Sequence, residues 1–413
     1  MKKACIISIG NELLNGRTLD TNAHWLSTQL LELGIPTQEV WVVGDDIHHI
    51  VSCFKQACEV GNIILVTGGL GPTDDDLTRQ ALAKFLGVEL EFKQDLYDGI
   101  KAFFEARKVD MAPINAVQAY IPKGIKAIAN PIGTAPGMHA SFGDKELFSV
   151  PGVPVEMKSM YQDYIRPVLA SQKSGPIVLT ERIHCYGAGE STIAQQLGNR
   201  MKRGRNPLLN CTVSGGDITL HVVATADDFS TAKTMIEQQK KEIVSILGPL
   251  VYSTEDETLP EVVGKLLRRQ KMTLVTAESC TGGLIGKLVT DTAGSSEYYL
   301  GGWITYSNEA KMRDLGVPKE LLDTYGAVSE PVARAMALGA QARACADTAI
   351  GISGIAGPTG GTNQKPVGLV YIAIAAGHDV QVREFRFAPL SREIIRQRAA
   401  LTALNLLRLK LGV

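Results

Sequence analysis

The sequence has no Cys-x-x-Cys pair, no surplus of charge and no long apolar run, and each absence removes a class of protein. Seven cysteines, an odd number, are scattered from Cys5 to Cys345. That pattern argues against a disulfide framework and against a zinc site, and fits a reducing cytoplasm. With 42 Lys and Arg against 43 Asp and Glu the formal net charge is -1. No global basic field gathers nucleic acid or anionic lipid, so a nucleic-acid role would need a local patch. Apolar runs such as Leu369 to Ala376 fall far short of the ~18 residues of a membrane-spanning helix. Lys2 and Lys3 precede an apolar run from Ala4 to Ile9, but Asn11 and Glu12 end it before the apolar core of a signal peptide could form. The run reads instead as a first buried strand. Internal repeats and low-complexity tracts are also lacking.

What is present is an ordinary globular composition, 45% hydrophobic and 21% charged over 413 residues, enough for two or three domains of roughly 100–200 residues. Strand-length apolar runs alternate with helical patterns from the start: Ala4 to Ile9, Thr21 to Leu33, Glu39 to Val43, Ile47 to Val60, Ile63 to Val66. This alternation predicts a mostly parallel sheet covered by helices. Further helices are expected at Asp76 to Leu86, Gln94 to Arg107 and Val155 to Ala170, with a Gly- and Pro-rich stretch from Pro122 to Pro151. The polar segment Ser171 to Pro176 reads as a linker into a small α+β module, and Tyr252 to Glu257 as a second linker. Beyond it come a helix at Leu259 to Arg269, strands at Thr273 to Thr276, Trp303 to Tyr306, Ala349 to Ile352, Val367 to Ala375 and Val380 to Phe387, and helices at Glu309 to Asp314 and Pro331 to Arg343. A last amphipathic helix, Ser391 to Leu411, carries Ile394, Leu401, Leu404 and Leu411 on one side, with interleaved arginines expected on a solvated face. The fold class is α/β: two α/β domains, residues 1–172 and 255–413, joined by a small α+β domain at 173–254.

Two strand-to-helix turns carry the chemistry. In the first, Thr67-Gly68-Gly69-Leu70-Gly71-Pro72-Thr73-Asp74-Asp75-Asp76, three glycines let backbone N–H groups approach an anion at the edge where open α/β sheets bind ligands. Three aspartates beside a phosphate call for a divalent cation between them; aspartates in a first helical turn also cap it and stabilise its dipole, but one would suffice for that. The run is neither a Walker loop nor a dinucleotide fingerprint.

The pattern Gly-Gly-x-Gly-x-x-x-x-Asp-x-Thr at Gly68 to Thr78 resembles that of the molybdopterin-binding family of MogA, MoaB and the MoeA domain. Together with Gly10 to Gly16, Thr21-Asn22 and Pro151-Gly152-Val153-Pro154-x-Glu156, it more closely resembles the N-terminal domain of the CinA (competence/damage-inducible) family. The resemblance implies a metal-dependent ADP-ribose pyrophosphatase. Asp76 would take the key acidic position, and Asp74, Asp75 and Asp45 would join it around a divalent ion (Mg, Mn or Co). ADP-ribose would lie against Glu12, Asn22, Gly68, Gly69, Gly71, Thr73, Gly133, Thr134, Pro151, Gly152 and Glu156. The middle module resembles the family's KH-like insert. It has Gly187-Ala188-Gly189 but lacks the basic Gly-x-x-Gly clamp of nucleic-acid-binding KH domains, so it reads as a spacer or dimer contact.

The second turn, Thr276-Ala277-Glu278-Ser279-Cys280-Thr281-Gly282-Gly283, places Ser279 or Cys280 at an expected helix N-terminus, where an anionic nucleophile is favoured. Serine needs a base. The only histidine after residue 255 is His378, in a hairpin turn, which makes a histidine triad a poor fit. Lys311, kept neutral by burial, is the alternative base, with Tyr306 to orient a proton; from the residues alone, a surface lysine and a core tyrosine are the preferred reading of the same two positions.

From about Thr258 onward the chain closely resembles the CinA C-terminal domain, which is also the stand-alone nicotinamide mononucleotide amidohydrolase of the PncC type. The matching strings are Thr276 to Gly283, Asp291 to Ser296, Thr305 to Lys311, Gly326 to Pro331, Ile352 to Pro358 and Lys365 to Gly368. The resemblance implies Ser279 as nucleophile, Lys311 as base, Tyr306 as assistant and Ser353 near the oxyanion or dyad, with no cofactor. Thr281, Gly282, Gly283, Gly354, Ala356 and Gly357 would hold the nucleotide. The whole chain is then expected to be a cytoplasmic, homodimeric, bifunctional enzyme of pyridine-nucleotide salvage acting on nicotinamide mononucleotide and ADP-ribose, with neither membrane nor nucleic acid as partner.

Overall fold

A computed structural model describes residues 2–171 and 176–412; residues 172–175 of the first expected linker lie outside the described residues. The chain divides into two compact units, Met1–Leu179 with Thr225–Ala232, and Thr180–Ala224 with Lys233–Val413. Among the described residues no helix is long and apolar enough to cross a membrane.

In the first unit Ala4–Ile9 and Ile63–Thr67 are buried at every position, the pattern of central strands covered on both faces. The sheet order is Thr37–Val43, Ala4–Ile9, Ile63–Thr67, Lys145–Val150, Gly137–Phe142, Lys126–Ile128. The first three pairings are parallel and the last two antiparallel. The stretch from Pro122 to Pro151, expected as Gly- and Pro-rich, thus contains a hairpin that extends the sheet. Gly143, at φ 58°, makes its turn. Helices Thr21–Glu32, Ile47–Val60 and Thr78–Leu86 bury Leu26, Leu30, Ile50, Phe54 and Leu82 against the sheet. The last of these helices starts two residues after Asp76, so the three aspartates belong to the loop and not to a first helical turn.

The second unit holds a five-stranded sheet in the order Tyr299–Ile304, Leu274–Glu278, Thr348–Gly354, Leu369–Ala376, Asp379–Arg386, the first two pairings parallel. Glu330–Ala344 packs so closely on it that a Cβ at Gly351 would lie 2.5 Å from the Ala333 carbonyl. Three sequence expectations are corrected. The strand expected at Trp303 to Tyr306 runs Tyr299–Ile304, which leaves Thr305 and Tyr306 past its C-terminal end. Part of the second expected linker is a strand, Val251–Ser253, paired with Cys185 and His184. Finally, Arg392–Lys410 packs through Ile395, Ala399, Ala403, Leu404 and Leu407, and Arg408 is fully buried instead of solvated. Its guanidinium donates to the carbonyls of Pro249 (2.5 Å) and Val251 (3.2 Å) and to Asn405 Oδ1 (3.0 Å), which pins the short strand. The short helix Lys319–Tyr325 was not anticipated.

Candidate active site

Ser279 follows directly on the buried strand Leu274–Glu278, and its N–H donates to the Ile352 carbonyl of the neighbouring strand (3.0 Å). The turn that follows uses Gly282 (φ 58°) and Gly283 (φ 91°), a backbone that other residues adopt at a cost. On the other side, Ser307 caps helix Asn308–Leu315 by accepting from Ala310 N–H (3.1 Å). Lys311 therefore sits in the first turn and points back at the sheet. Lys311 is 1% exposed, and its Nζ lies 3.3 Å from Ser279 Oγ, 2.8 Å from the Thr305 carbonyl and 3.3 Å from the Tyr306 carbonyl. Burial pulls its pKa below the ordinary lysine value, with the neighbouring Cys280 and Glu309 acting the other way. A lysine shifted toward the neutral amine, in hydrogen-bond reach of a serine, is a nucleophile–base pair. Cys280, the competing nucleophile by sequence, is buried and its thiol is pushed up to about 12, mainly by desolvation; it stays protonated and weakly nucleophilic near neutrality.

Several expected roles change. The helix after the turn starts at Leu284, five positions beyond the serine, so Ser279 and Cys280 lie outside it and are not at its first turn. Its first N–H groups are taken by Glu278, which accepts from Gly283 (2.9 Å), Ile285 (3.1 Å) and Gly286 (2.9 Å). Tyr306 is 62% exposed; its carbonyl reaches Lys311, while its hydroxyl accepts from Arg392 Nη2 (3.1 Å). Ser353 is fully buried and donates to the Ala327 carbonyl (2.7 Å), not to the Ser279–Lys311 pair. Thr281 is buried with an unpaired hydroxyl. Gly354, Ala356 and Gly357 line the chain path that leaves the strand next to Leu274–Glu278. Sequence reading missed three groups. Glu278 could have been found as an acid just ahead of a Gly-Gly helix start. Arg392 and Arg396, which donate to the Gly357 carbonyl (2.9 Å) and the Thr281 carbonyl (2.6 Å), had only the generic signal of arginines at the head of a helix.

In the first unit the Gly68-to-Asp76 loop is held from within. Gly68 N–H donates to the Val150 carbonyl (3.0 Å) and Thr78 Oγ1 to the Gly68 carbonyl (2.8 Å). Asp76 accepts from Gly71 N–H (2.8 Å), Thr73 N–H (2.9 Å) and Thr73 Oγ1 (2.6 Å), and Thr73 also contacts Asp75. Arg79, 2% exposed, donates to the carbonyls of Leu70 and Gly71 (both 2.7 Å). Asn22 is brought to the same edge, bonded to Thr67 Oγ1 (3.0 Å) and the Gly152 carbonyl (2.8 Å), with Thr67 donating to Pro151 (3.1 Å). Glu156 meets Asn130 Nδ2 (2.7 Å), and a Cβ at Gly133 would strike its carboxylate. Asp45 accepts from Asn11 N–H (2.9 Å); burial and the nearby charges of Glu12, Asp75 and Asp76 raise its pKa. Asp74 is exposed, as are Asp75 and Glu12, and Thr134 is half-buried in the same loop as Gly133. Among the described residues, no three His, Cys, Asp or Glu side chains are placed to hold one metal ion. The carboxylates as they stand do not fit the divalent cation that the resemblance implies.

Comparison with known proteins matches residues 5–171 to a probable molybdopterin binding domain, 180–253 to the damage-inducible protein CinA KH domain, and 256–411 to the CinA C-terminal domain. A CinA-like protein of Kosmotoga olearia is 40% identical over 406 residues, covering 98% of each chain. Another, from Trichormus variabilis, is 42% identical over 410 residues, again 98% of each chain. Among solved structures, CinA of Thermoplasma acidophilum, described as of unknown function, is 36% identical over 40% of this chain and 98% of its own, with a TM-score of 0.38. A competence/damage inducible protein of Agrobacterium tumefaciens is 42% identical over 38% of this chain and 94% of its own, with a TM-score of 0.37. By identity sustained over its whole length, the chain belongs to the CinA family, with a MoaB-like domain at its N-terminus, a KH-like domain in its middle and the CinA domain at its C-terminus.

Proposed function

We propose that the C-terminal domain hydrolyses the carboxamide of nicotinamide mononucleotide to nicotinate mononucleotide and ammonia. The observation that supports it is the buried Lys311 amine 3.3 Å from Ser279 Oγ. In this reading the neutral amine accepts the serine proton as Oγ attacks the carboxamide carbon, and returns that proton to the leaving nitrogen as the C–N bond breaks. Ammonia departs, and an ester to Ser279 remains. Water, deprotonated by the same amine, then attacks the ester, and its proton returns to Ser279 Oγ. Arg396 and Glu278 hold the turn that follows Ser279, at the Thr281 carbonyl and the Gly283 N–H. Ammonia release by the purified protein tests the reading, alongside Ser279→Ala, Lys311→Ala and Cys280→Ala, with and without a chelator. Turnover should survive the chelator and Cys280→Ala and vanish in the other two variants; an inactive wild type would remove the proposal.

For the N-terminal domain we propose hydrolysis of ADP-ribose to AMP and ribose 5-phosphate. The glycine turn at Gly68, Gly69 and Gly71 lies at the C-terminal end of a parallel strand, a place suited to a pyrophosphate. Asn22 and Thr73 stand on the same edge. Because the acidic side chains do not converge on one cation, no step is assigned to a metal. The inward-bonded Asp76 favours, as a second reading, a module that binds a pterin or nucleotide without turnover. AMP release from ADP-ribose with added Mg2+, Mn2+ or Co2+ separates the two: binding of ADP-ribose without AMP selects the second.

A further inference from the structure

Two guanidiniums stand at the serine turn with no acid to pair with. Arg392 and Arg396 lie one turn apart at the head of helix Arg392–Lys410. Arg396 Nη2 donates to the Thr281 carbonyl (2.6 Å), two residues beyond the nucleophile. Arg392 Nη1 donates to the Gly357 carbonyl (2.9 Å) and its Nη2 to the Tyr306 hydroxyl (3.1 Å). Thr281, Tyr306 and Gly357 follow the C-terminal ends of three neighbouring strands of one sheet, the edge at which open α/β sheets bind ligands. All three partners are neutral. Elsewhere in the unit Arg182, Arg200, Arg334 and Arg386 each pair with a carboxylate. At the turn the buried acid, Glu278, is spent on three N–H groups. Exposed Glu309 and Glu393 are close in sequence, but among the described residues neither is bonded to these arginines. Both guanidiniums are also left uncovered. Arg392 is exposed, and a Cβ at Gly282 would lie 3.4 Å from Arg396 Nη2, so any side chain there would begin against it.

Carbonyl and hydroxyl partners fix a guanidinium in place without cancelling its charge, and most of the N–H donors of each fork are left over. An open, pre-oriented fork of this kind suits the oxygens of a phosphate, which it can meet with two parallel hydrogen bonds. The pyridinium ring of the proposed substrate is itself a cation and gains nothing from two arginines, so they serve its other end. We propose that Arg392, assisted by Arg396, binds the 5′-phosphate of the substrate and makes the site select a phosphorylated carboxamide over the corresponding nucleoside. The inference rests on the amidase reading of the Ser279–Lys311 pair for the identity of the substrate, and on the arginines alone for its charge.

The test is ammonia release by the full chain from nicotinamide mononucleotide and from nicotinamide riboside, in wild type, Arg392→Gln and Arg392→Lys. Wild type should favour the mononucleotide by about 10²-fold in kcat/KM. Arg392→Gln should lower kcat/KM about 30-fold on the mononucleotide, through KM, and about threefold at most on the riboside. Arg392→Lys should recover part of the loss, because it keeps the charge but not the fork. An equal fall on both substrates would make Arg392 a support of the turn and overturn the inference, as would a wild type that hydrolyses the riboside as well as the mononucleotide. Calorimetric binding to Ser279→Ala needs no turnover and separates this inference from the amidase reading. The mononucleotide should bind there about 10²-fold more tightly than the riboside, and Arg392→Gln in the same background should erase most of that difference. That pattern in a chain whose wild type releases no ammonia would remove the amidase reading and leave the phosphate site standing. Ammonia release with binding indifferent to the phosphate or to Arg392 would do the reverse.

Discussion

The two strand-to-helix turns begin alike and end differently. Each leaves a fully buried parallel strand, passes through glycines and enters a helix. At Ser279 the acid of the turn, Glu278, reaches forward to the helix start and satisfies three N–H groups there. That frees the serine to face a lysine from a different element, and the lysine has no carboxylate within bonding distance. At Asp76 the acid points into its own loop and spends both oxygens on Gly71 and Thr73. Reactivity at a turn depends on which polar groups are left unspent: in one turn an amine and a hydroxyl are left to face each other, while in the other the amides of Gly68, Gly71 and Thr73 are already bonded.

If that contrast holds, the largest effect belongs to the Ser279–Lys311 pair. Ser279→Ala and Lys311→Met should each lower ammonia release by about 10⁴-fold, and the double variant should be no worse than either, because residues acting as a unit are not additive. Independent contributions that multiply in the double variant would count against a nucleophile–base pair. The pH dependence has a definite sign. Lys311 in the folded chain has a pKa below its ordinary value of 10.5, and the base must be neutral, so activity should climb with pH through that lowered pKa. Between it and 10.5 the unfolded chain binds more protons than the folded one, so wild-type stability should rise with pH relative to Lys311→Met. Denaturant titrations of both proteins across that window measure this difference.

Next is Glu278→Gln. It removes a carboxylate serving three N–H donors and turns an amide toward them, which should cost about 2–4 kcal/mol of stability and about 10²-fold in turnover, with KM changed little. A fall in stability without a fall in turnover would show that the turn does not depend on its buried acid. Asp76→Asn should act on the other turn through the fold. The loss of one of its two acceptor oxygens, which turns an NH2 toward an N–H of the loop, and of the charge beside buried Arg79, should destabilise the first unit by about 1–3 kcal/mol. AMP release should fall with it while ammonia release is untouched. If both activities fall together, the two turns are not independent.

The central strands and most helices were legible because apolar runs of strand length and helical periodicity are local signals, and Ala4–Ile9 and Ile47–Val60 carry them strongly. The hairpin from Gly137 to Val150 was obscured by Gly143 at its turn and by the Gly- and Pro-rich stretch just before it, and Val251–Ser253 by its three-residue length. Ser279 and Lys311 were legible as candidates, and their match to a known family named them. Their meeting was not, since 32 positions separate them and only the parallel pairing of Tyr299–Ile304 with Leu274–Glu278 brings them together. Arg408 shows the opposite error: a charge read as solvated is buried, because the partners that satisfy it are carbonyls more than 150 positions away.

The smallest predicted effect is at Cys280, beside the nucleophile, and it tests the assignment most narrowly. A thiol at a strand-to-helix turn is activated when a helix terminus or a cation lowers its pKa. Here the helix terminus is occupied by Glu278, and the thiol is driven up to about 12 by burial. Its place is in the apolar cluster with Ile285, Ile352 and Ala356. Cys280→Ala should therefore change ammonia release by about twofold at most, and cost roughly 1 kcal/mol of stability from the lost sulfur packing. Thiol-directed reagents should leave the folded protein active. Inactivation by such a reagent that Cys280→Ala prevents would transfer the nucleophile from the serine to the cysteine. A reagent that inactivates wild type and Cys280→Ala alike would be acting at another of the cysteines, and exposed Cys345 would be the first to replace.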